Sequence, residues 1–386
     1  MRIAIYIGQL DVGGAEGQVI LLARGLLSRG HDVRLVTDAE RTSGVPPDLE
    51  PYVVTVPSRP RLARLRALSR FLRRFDPAVW HCQLTSANLW GSLAGRCAGV
   101  PVVVTSFLST DPWKKWYHAL LDRFVACLSA GVFTNSARVA ERYRRMLGRF
   151  GRKVRVIYNG VDTTRFGGDG AAAGREEARR DLDVPGGAPL VINVANLFGV
   201  KNQLMLLRAV AACRRRLPES RRPFLVLLGE GPMRPALEQE AARLELTPYL
   251  RMPGLRKDVA TYLAAADVFV LSSDAEGFSN ALLEAMASRL ACLATEVGGN
   301  AEALADGAGV VIPPGDEDAL AAALAEVLQD DVRRKALGAA ARRRAVEKFG
   351  LERMVDATAC WYLGKLAYRR GAEGLRRWYR ELLAPD

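Results

Sequence analysis

Two carboxylates, Glu276 and Glu284, stand with seven residues between them around a small polar turn, Gly277-Phe278-Ser279-Asn280. An apolar run, Val268-Phe269-Val270-Leu271, precedes them and reads as a buried strand. A helix-forming run, Ala281-Leu282-Leu283-Glu284-Ala285-Met286, follows. Glu276 is therefore expected in a strand-to-helix loop, and Glu284 about one turn into the helix. Ser279 or Asn280 is the expected N-cap. A helix start attracts anions, because its first amides lack partners and the dipole is positive there. A carboxylate on each side can accept hydrogen bonds from sugar hydroxyls. This combination fits a nucleoside diphosphate sugar, with phosphates on the amides and one Glu for each carbohydrate part.

Other loops offer matching chemistry. Lys201, in Asn196-Leu197-Phe198-Gly199-Val200-Lys201-Asn202, can neutralise a diphosphate as a point charge. Gly229 and Gly231 let a strand end pack closely, against a base or simply in a turn. Gly13 and Gly14 follow the first strand and permit close backbone approach to a phosphate or acceptor. Their spacing is not G-x-G-x-x-G, so a dinucleotide fingerprint is weak. Asn300 can cap the helix after Val297-Gly298-Gly299, with Glu302 in its first turn. Asn159-Gly160 suits a positive φ at a hinge entry. His81 closes a strand and is a candidate to touch substrate, although a lone His is more often structural. Asp181-Leu182-Asp183 has the form of a metal clamp, but it sits in a helix-like acidic stretch, and no metal is expected.

These loops need strands and helices to hold them. Spacing predicts strands over 2–7, 32–37, 52–56, 78–81, 100–105, 131–135 and 154–158, with helices over 15–28, 61–75, 86–98, 113–126 and 137–147 between them. A flexible connector is expected over 167–174. Further strands follow at 190–194, 224–228, 249–252, 267–271, 291–295 and 309–312. Strand–helix alternation means parallel, doubly wound α/β sheets, where ligands bind beyond the carboxyl ends of strands. The expected organisation is an acceptor-binding Rossmann-like domain over 1–165 and a nucleotide-sugar-binding one over 166–350, facing across a cleft. C-terminal helices over 351–386 are expected to cross back to the first domain.

The chain has 386 residues and a formal net charge of +13, enough length for two cores. Residues 1–165 hold 25 Lys and Arg against 12 Asp and Glu, so the whole excess lies there. That favours an anionic partner for this half, such as an anionic membrane surface or lipid phosphate; an Arg-rich composition with solvated faces is the bland alternative. Nucleic acid is not expected, because no helix-turn-helix, RNP or zinc-finger signature is present. The helix over 61–75 carries Leu62, Leu65, Leu68, Leu72 and Phe75 on one stripe among arginines. It could lie on an anionic bilayer or pack its stripe on the sheet. Residues 1–8 read as a strand rather than a signal peptide, and no apolar run approaches the roughly 18–20 residues of a membrane helix. Six scattered cysteines fit a reducing cytoplasm.

Taken together, the chain resembles the retaining family 4 glycosyltransferases of GT-B fold. The resemblance rests on Glu276…Glu284, Val297-Gly298-Gly299-Asn300-Ala301-Glu302, Lys201-Asn202, Gly229-Glu230-Gly231-Pro232, Asn159-Gly160-Val161-Asp162 and Pro313-Pro314-Gly315-Asp316, in the family's order. It implies that Glu276 binds donor sugar hydroxyls and Glu284 the ribose. Lys201 and the amides around Phe278, Ser279 and Asn280 would hold the diphosphate, with Gly13 and Gly14 approaching it. It implies a UDP- or GDP-sugar donor, no cofactor or metal, and transfer to an acceptor hydroxyl with retention. The expected acceptor is a lipid-linked saccharide in envelope or exopolysaccharide synthesis, at the cytoplasmic face of the membrane. Two departures stand out. Asn196 occupies the place of a usual Arg, and Thr105-Ser106-Phe107 lacks a usual His, leaving His81, Ser106 or substrate to orient the acceptor. A nucleotide-sugar epimerase of the same fold and a non-catalytic sugar-nucleotide-binding protein are the alternatives.

Overall fold

The computed structural model describes the chain apart from residues 12, 39–43, 58, 111–113, 168–170 and 383–386, and apart from the side chains of 171–173 and 369–382. Parts of the expected loop after the first strand, of the connector and of the 113–126 helix lie outside the described residues. The chain divides into two compact units, residues 1–160 with 351–386, and residues 161–350.

The first unit runs β1 (Arg2–Ile7), α1 (Gly14–Leu27), β2 (Asp32–Thr37), β3 (Val53–Thr55), α2 (Arg61–Phe75), β4 (Val79–Gln83), α3 (Thr85–Cys97), β5 (Val102–Ser106), α4 (Trp116–Leu128), β6 (Gly131–Thr134), α5 (Ala137–Met146) and β7 (Val154–Val156). All its described strand pairs are parallel, in the order β3-β2-β1-β4-β5-β6-β7. Such sheets bury both faces, which explains the unbroken apolar runs. In β1, Ile3, Ile5 and Ile7 enter one core, while Ala4 and Tyr6 enter the other.

The second unit contains α6 (Ala171–Asp181), β8 (Leu190–Val194), α7 (Gln203–Arg216), β9 (Phe224–Leu228), α8 (Arg234–Arg243), β10 (Leu250–Gly254), α9 (Val259–Ala265), β11 (Val268–Leu271), α10 (Asn280–Ala287), β12 (Ala291–Thr295), α11 (Asn300–Ala303), β13 (Val310–Ile312), α12 (Glu317–Gln329) and α13 (Asp331–Phe349). Its parallel order is β10-β9-β8-β11-β12-β13. The chain leaves β8 toward one edge and returns through β11 toward the other. The β8/β11 boundary is thus a topological switch point, where the loops splay apart beyond the strand ends.

The last helix, α14 (Leu351–Leu382), belongs to the first unit. Met354, Val355, Tyr362 and Leu366 share a core with Ile3 and Leu26. Arg29 pairs with Glu352 at 2.6 Å and Asp356 at 2.7 Å. Gly160, just before the crossing into the second unit, is glycine for space. A Cβ there would lie 3.0 Å from the Leu351 Cα, and its φ is not positive, which corrects the expected reason for it.

Of the two readings of the basic helix α2, the structure shows the second: its stripe packs inward. Leu68 and Leu72 are buried beside Trp80 and Tyr6, whereas Leu62 is exposed. One arginine goes inward too. Arg64 donates to Tyr6 Oη at 2.8 Å and forms a buried ion pair with Asp38.

Candidate donor site in the second unit

The switch point of the second unit brings the predicted donor residues together. Lys201 ends the short turn after β8, and Glu276 lies in the loop after β11. Their Nζ and Oε1 atoms are 2.6 Å apart. The backbone holds these loops in register. Asp274 N donates to Val200 O at 2.8 Å, Ser272 Oγ to Lys201 O at 3.0 Å, and Asn202 Nδ2 to Asp274 Oδ1 at 2.9 Å. Asn202 also caps α7, accepting from the Met205 amide. Ser273 Oγ donates to Glu276 Oε1 at 2.7 Å, so one carboxylate oxygen is fixed from two sides. Sequence reasoning missed Ser273; its only signal was a hydroxyl pair ending an apolar strand.

Ser279 is the N-cap of α10, and its Oγ accepts from the Leu282 amide at 3.3 Å. The positive end of that helix lies in the same loop as Glu276, four residues on. Phe278 is buried, its ring edge-on to Phe349 with centroids 5.2 Å apart, which pins the Gly277–Asn280 turn to α13. The neighbouring loop supports the turn from below. Gly299 N donates to Gly277 O at 2.7 Å. Gly298 has φ +53°, and a Cβ on it would meet Glu276 O at 2.5 Å and Gly277 O at 2.6 Å. Only glycine fits there. The cap of α11 is Gly299, not Asn300, whose Nδ2 instead donates back to Thr295 O at 3.0 Å.

Glu284 lies in the first turns of α10. Burial pushes its carboxyl up to about 7, partly offset by the Arg165 guanidinium. Arg165 lies 119 positions earlier, and nothing in its local sequence marks it.

Gly229 and Gly231 pack on backbone. A Cβ at Gly231 would lie 2.5 Å from Leu197 O, and one at Gly229, where φ is +149°, would overlap Ala195 O. Both glycines let the Ala195–Leu197 loop seat against the end of β9. Asn196, exposed within that loop, accepts from Gln203 Nε2 at 3.2 Å through its carbonyl. Asp181 accepts from Tyr262 Oη at 2.7 Å and Asp183 pairs with Arg251 at 2.9 Å, so both carboxylates of the D-x-D stretch have structural partners.

In the first unit, Gly13 is the N-cap of α1, with extended backbone open to any residue. A Cβ there would meet only the Glu16 carboxylate, the movable end of a flexible side chain. His81 is not open to substrate, which corrects that expectation. It is 2% exposed, with Nδ1 2.6 Å from Tyr362 Oη and Nε2 2.6 Å from Ser106 Oγ. Burial lowers its pKa to about 3, so it stays neutral. Ser106, the other residue considered for orienting an acceptor, is spent on His81.

Two parallel α/β units, one with a Lys–Glu pair and a capped helix start at its switch point, make up the GT-B architecture. The comparisons make the family definite. The Glycosyl transferases group 1 family model matches residues 174–344, and the Glycosyltransferase Family 4 model matches residues 12–165. The chain belongs to the family 4 glycosyltransferases. It is 32% identical over 207 residues to the lipopolysaccharide core biosynthesis glycosyltransferase LpsE of Rhizobium meliloti, covering 53% of this chain and 56% of that protein. The chain thus spans about half the length of LpsE. It is 28% identical over 402 residues to the D-inositol 3-phosphate glycosyltransferase of Saccharomonospora viridis, covering 94% of this chain and 92% of that protein. Among solved structures, Anabaena Alr3699/HepE in complex with UDP superposes with a TM-score of 0.82 at 21% identity, over 94% of this chain and 99% of that one.

Proposed function

We propose that this protein transfers a sugar from a nucleoside diphosphate donor to an acceptor hydroxyl with retention of anomeric configuration. The observation that carries the reading is the Lys201–Glu276 pair beside the start of α10, joined by tertiary structure across 75 positions. As the anomeric bond loosens, negative charge grows on the departing diphosphate. Lys201 and the positive end of α10 stabilise that charge, and a prearranged field of this kind lowers the barrier most. Glu276 accepts hydroxyls of the transferred sugar, and Glu284 those of the ribose. The departing phosphate oxygen takes the acceptor's proton on the same face, so no protein base is required. The positive charge in this reading comes from protein alone, and a chelator should leave turnover unchanged.

The donor is a UDP- or GDP-sugar. The acceptor is a lipid-linked saccharide of envelope or exopolysaccharide synthesis, met at the cytoplasmic face of an anionic membrane. The charge excess of residues 1–165 supports this. Among the described residues no helix is long and apolar enough to cross a membrane. A thermal-shift panel of UDP, GDP, ADP and their sugars tests the donor site. Product analysis then tests the reaction. An isomerised sugar nucleotide formed without acceptor would replace this reading with an epimerase, and binding without turnover would leave only a sugar-nucleotide-binding protein.

A further inference from the structure

Helix α4 turns an apolar face to solvent. Trp116, Tyr117, Leu120, Leu121 and Phe124 are 78, 43, 52, 44 and 45% exposed. At about 100° per residue they share one arc of roughly 140°. No charged side chain falls on that arc; Arg123 lies about 20° beyond its Trp116 edge. The opposite arc is anchored. Asp122, Val125 and Ala126 are buried, and Lys114 Nζ lies 3.0 Å from both Asp122 Oδ2 and Tyr143 Oη. The buried ion pair fixes the helix against rolling, so the outward face is a built feature. This inverts the usual order, in which a surface helix hides its apolar side. A patch of this kind marks an interaction surface.

Its surroundings say what covers it. Arg123 Nε donates to Met146 O at 2.7 Å, and Lys153 Nζ to Ala126 O at 2.8 Å, so the C-terminal end of α4 abuts α5 and the turn after it. Residues 137–153 hold seven Lys and Arg against Glu141 alone. Arg142, Arg144, Arg149 and Arg152 are exposed. Aromatic and leucine side chains beside a cationic rim match an anionic lipid bilayer, apolar below its headgroups and negative at its surface. A second copy matches poorly, since a two-fold interface would set the same arginine rim against itself.

We infer that α4 is a membrane-docking helix, inserting Trp116, Leu120 and Phe124 among the headgroups of an anionic bilayer while the α5 arginines meet lipid phosphates. This rests on the lipid-linked acceptor proposed above and assigns the contact to α4 rather than to α2.

Flotation with phosphatidylglycerol/phosphatidylcholine vesicles and with phosphatidylcholine vesicles tests it, at low and high salt. The full chain should float with the anionic vesicles at low salt. The triple variant Trp116→Ser/Leu120→Ser/Phe124→Ser should float at least tenfold less, with unchanged melting. The single variant Leu120→Asp, a smaller perturbation, should weaken flotation in the same direction. Arg142→Gln/Arg149→Gln/Arg152→Gln should lose the preference for anionic vesicles. Three results would overturn the inference: parent-like flotation of the triple Ser variant, no flotation of the parent, or a concentration-dependent dimer that the Ser variant dissolves. Flotation needs no turnover. A parent that binds nucleotide but floats with no vesicles defeats the docking helix alone, and a parent that floats but binds no nucleotide defeats the donor site alone.

Discussion

Lys201 Nζ lies 2.6 Å from Glu276 Oε1, across the loops that follow the adjacent strands β8 and β11. Each group holds the other in place, at the positions where the proposed mechanism needs a cation and a hydroxyl acceptor. The geometry is therefore prearranged by the sheet.

Lys201→Ala and Glu276→Ala should each lower kcat/KM by about 100-fold or more, the scale of removing one prearranged electrostatic contact. Each removes a partner from the other, so the double variant should fall short of the product of the two losses. Steady-state kinetics with melting curves provide the check. Parent-level turnover in either folded single variant would sink the assignment.

Glu284 sets a pH dependence. Its folded pKa of about 7 lies above the ordinary carboxylate range. The folded state therefore holds this proton more tightly than the unfolded state. Stability from this group is present below the unfolded pKa and is lost as pH rises toward about 7. Glu284→Gln should leave melting at acidic pH unchanged and stabilise the protein above about pH 7, by on the order of 1–3 kcal/mol. Donor binding should move oppositely, because an ionised carboxylate accepts two ribose hydroxyls where an acid accepts fewer. Affinity for a nucleoside diphosphate sugar should fall as pH drops below about 7, and the Gln variant should flatten that slope. Calorimetry across this range decides, and identical slopes in parent and variant would remove Glu284 from the donor site.

His81 should prove structural. Its lowered pKa means that the folded state binds this proton more weakly than the unfolded one. Stability is therefore lost as pH falls from about 6.5 toward 3. His81→Phe should cost about 1–3 kcal/mol at neutral pH, because it strands the Ser106 and Tyr362 hydroxyls. Urea titrations read the cost. The pH–rate profile should keep its shape near neutrality, and a missing limb there would make His81 a participant.

Arg64 should differ from its neighbours on α2. Arg64→Ala leaves Asp38 buried without its ion-pair partner and should cost about 3–5 kcal/mol. Arg66→Ala and Arg70→Ala, at exposed positions, should change stability by about 0.5 kcal/mol or less. Equal costs across the three in urea unfolding would contradict the inward placement.

Much of the geometry of the candidate donor site was legible because its signals are local. The apolar run of β11, the Ser279 cap and the spacing of Glu276 and Glu284 all lie within 17 consecutive positions, Val268–Glu284. Strand alternation was legible for the same reason, since both faces of these sheets are buried and their strands read as continuous apolar runs. The partners of those residues were less so. Ser273, three positions from Glu276, had only the weak signal of a hydroxyl at a strand end, and Arg165 had none, because a side chain contributed by a distant turn leaves no trace in local spacing. His81 was misread because strand ends point toward sites only until another element covers them. Tyr362, 281 positions later, does so here.

By itself the sequence determined the parallel α/β architecture, the candidate loops beyond the strand ends and the confinement of the charge excess to the first half, all properties of periodicity and composition. Tertiary structure decided which loops meet, that α2 faces the core and α4 turns an apolar arc outward, and that His81 is sealed. The reason is physical: spacing tells which side chains share a face of an element, but only the packing of distant elements tells what that face touches.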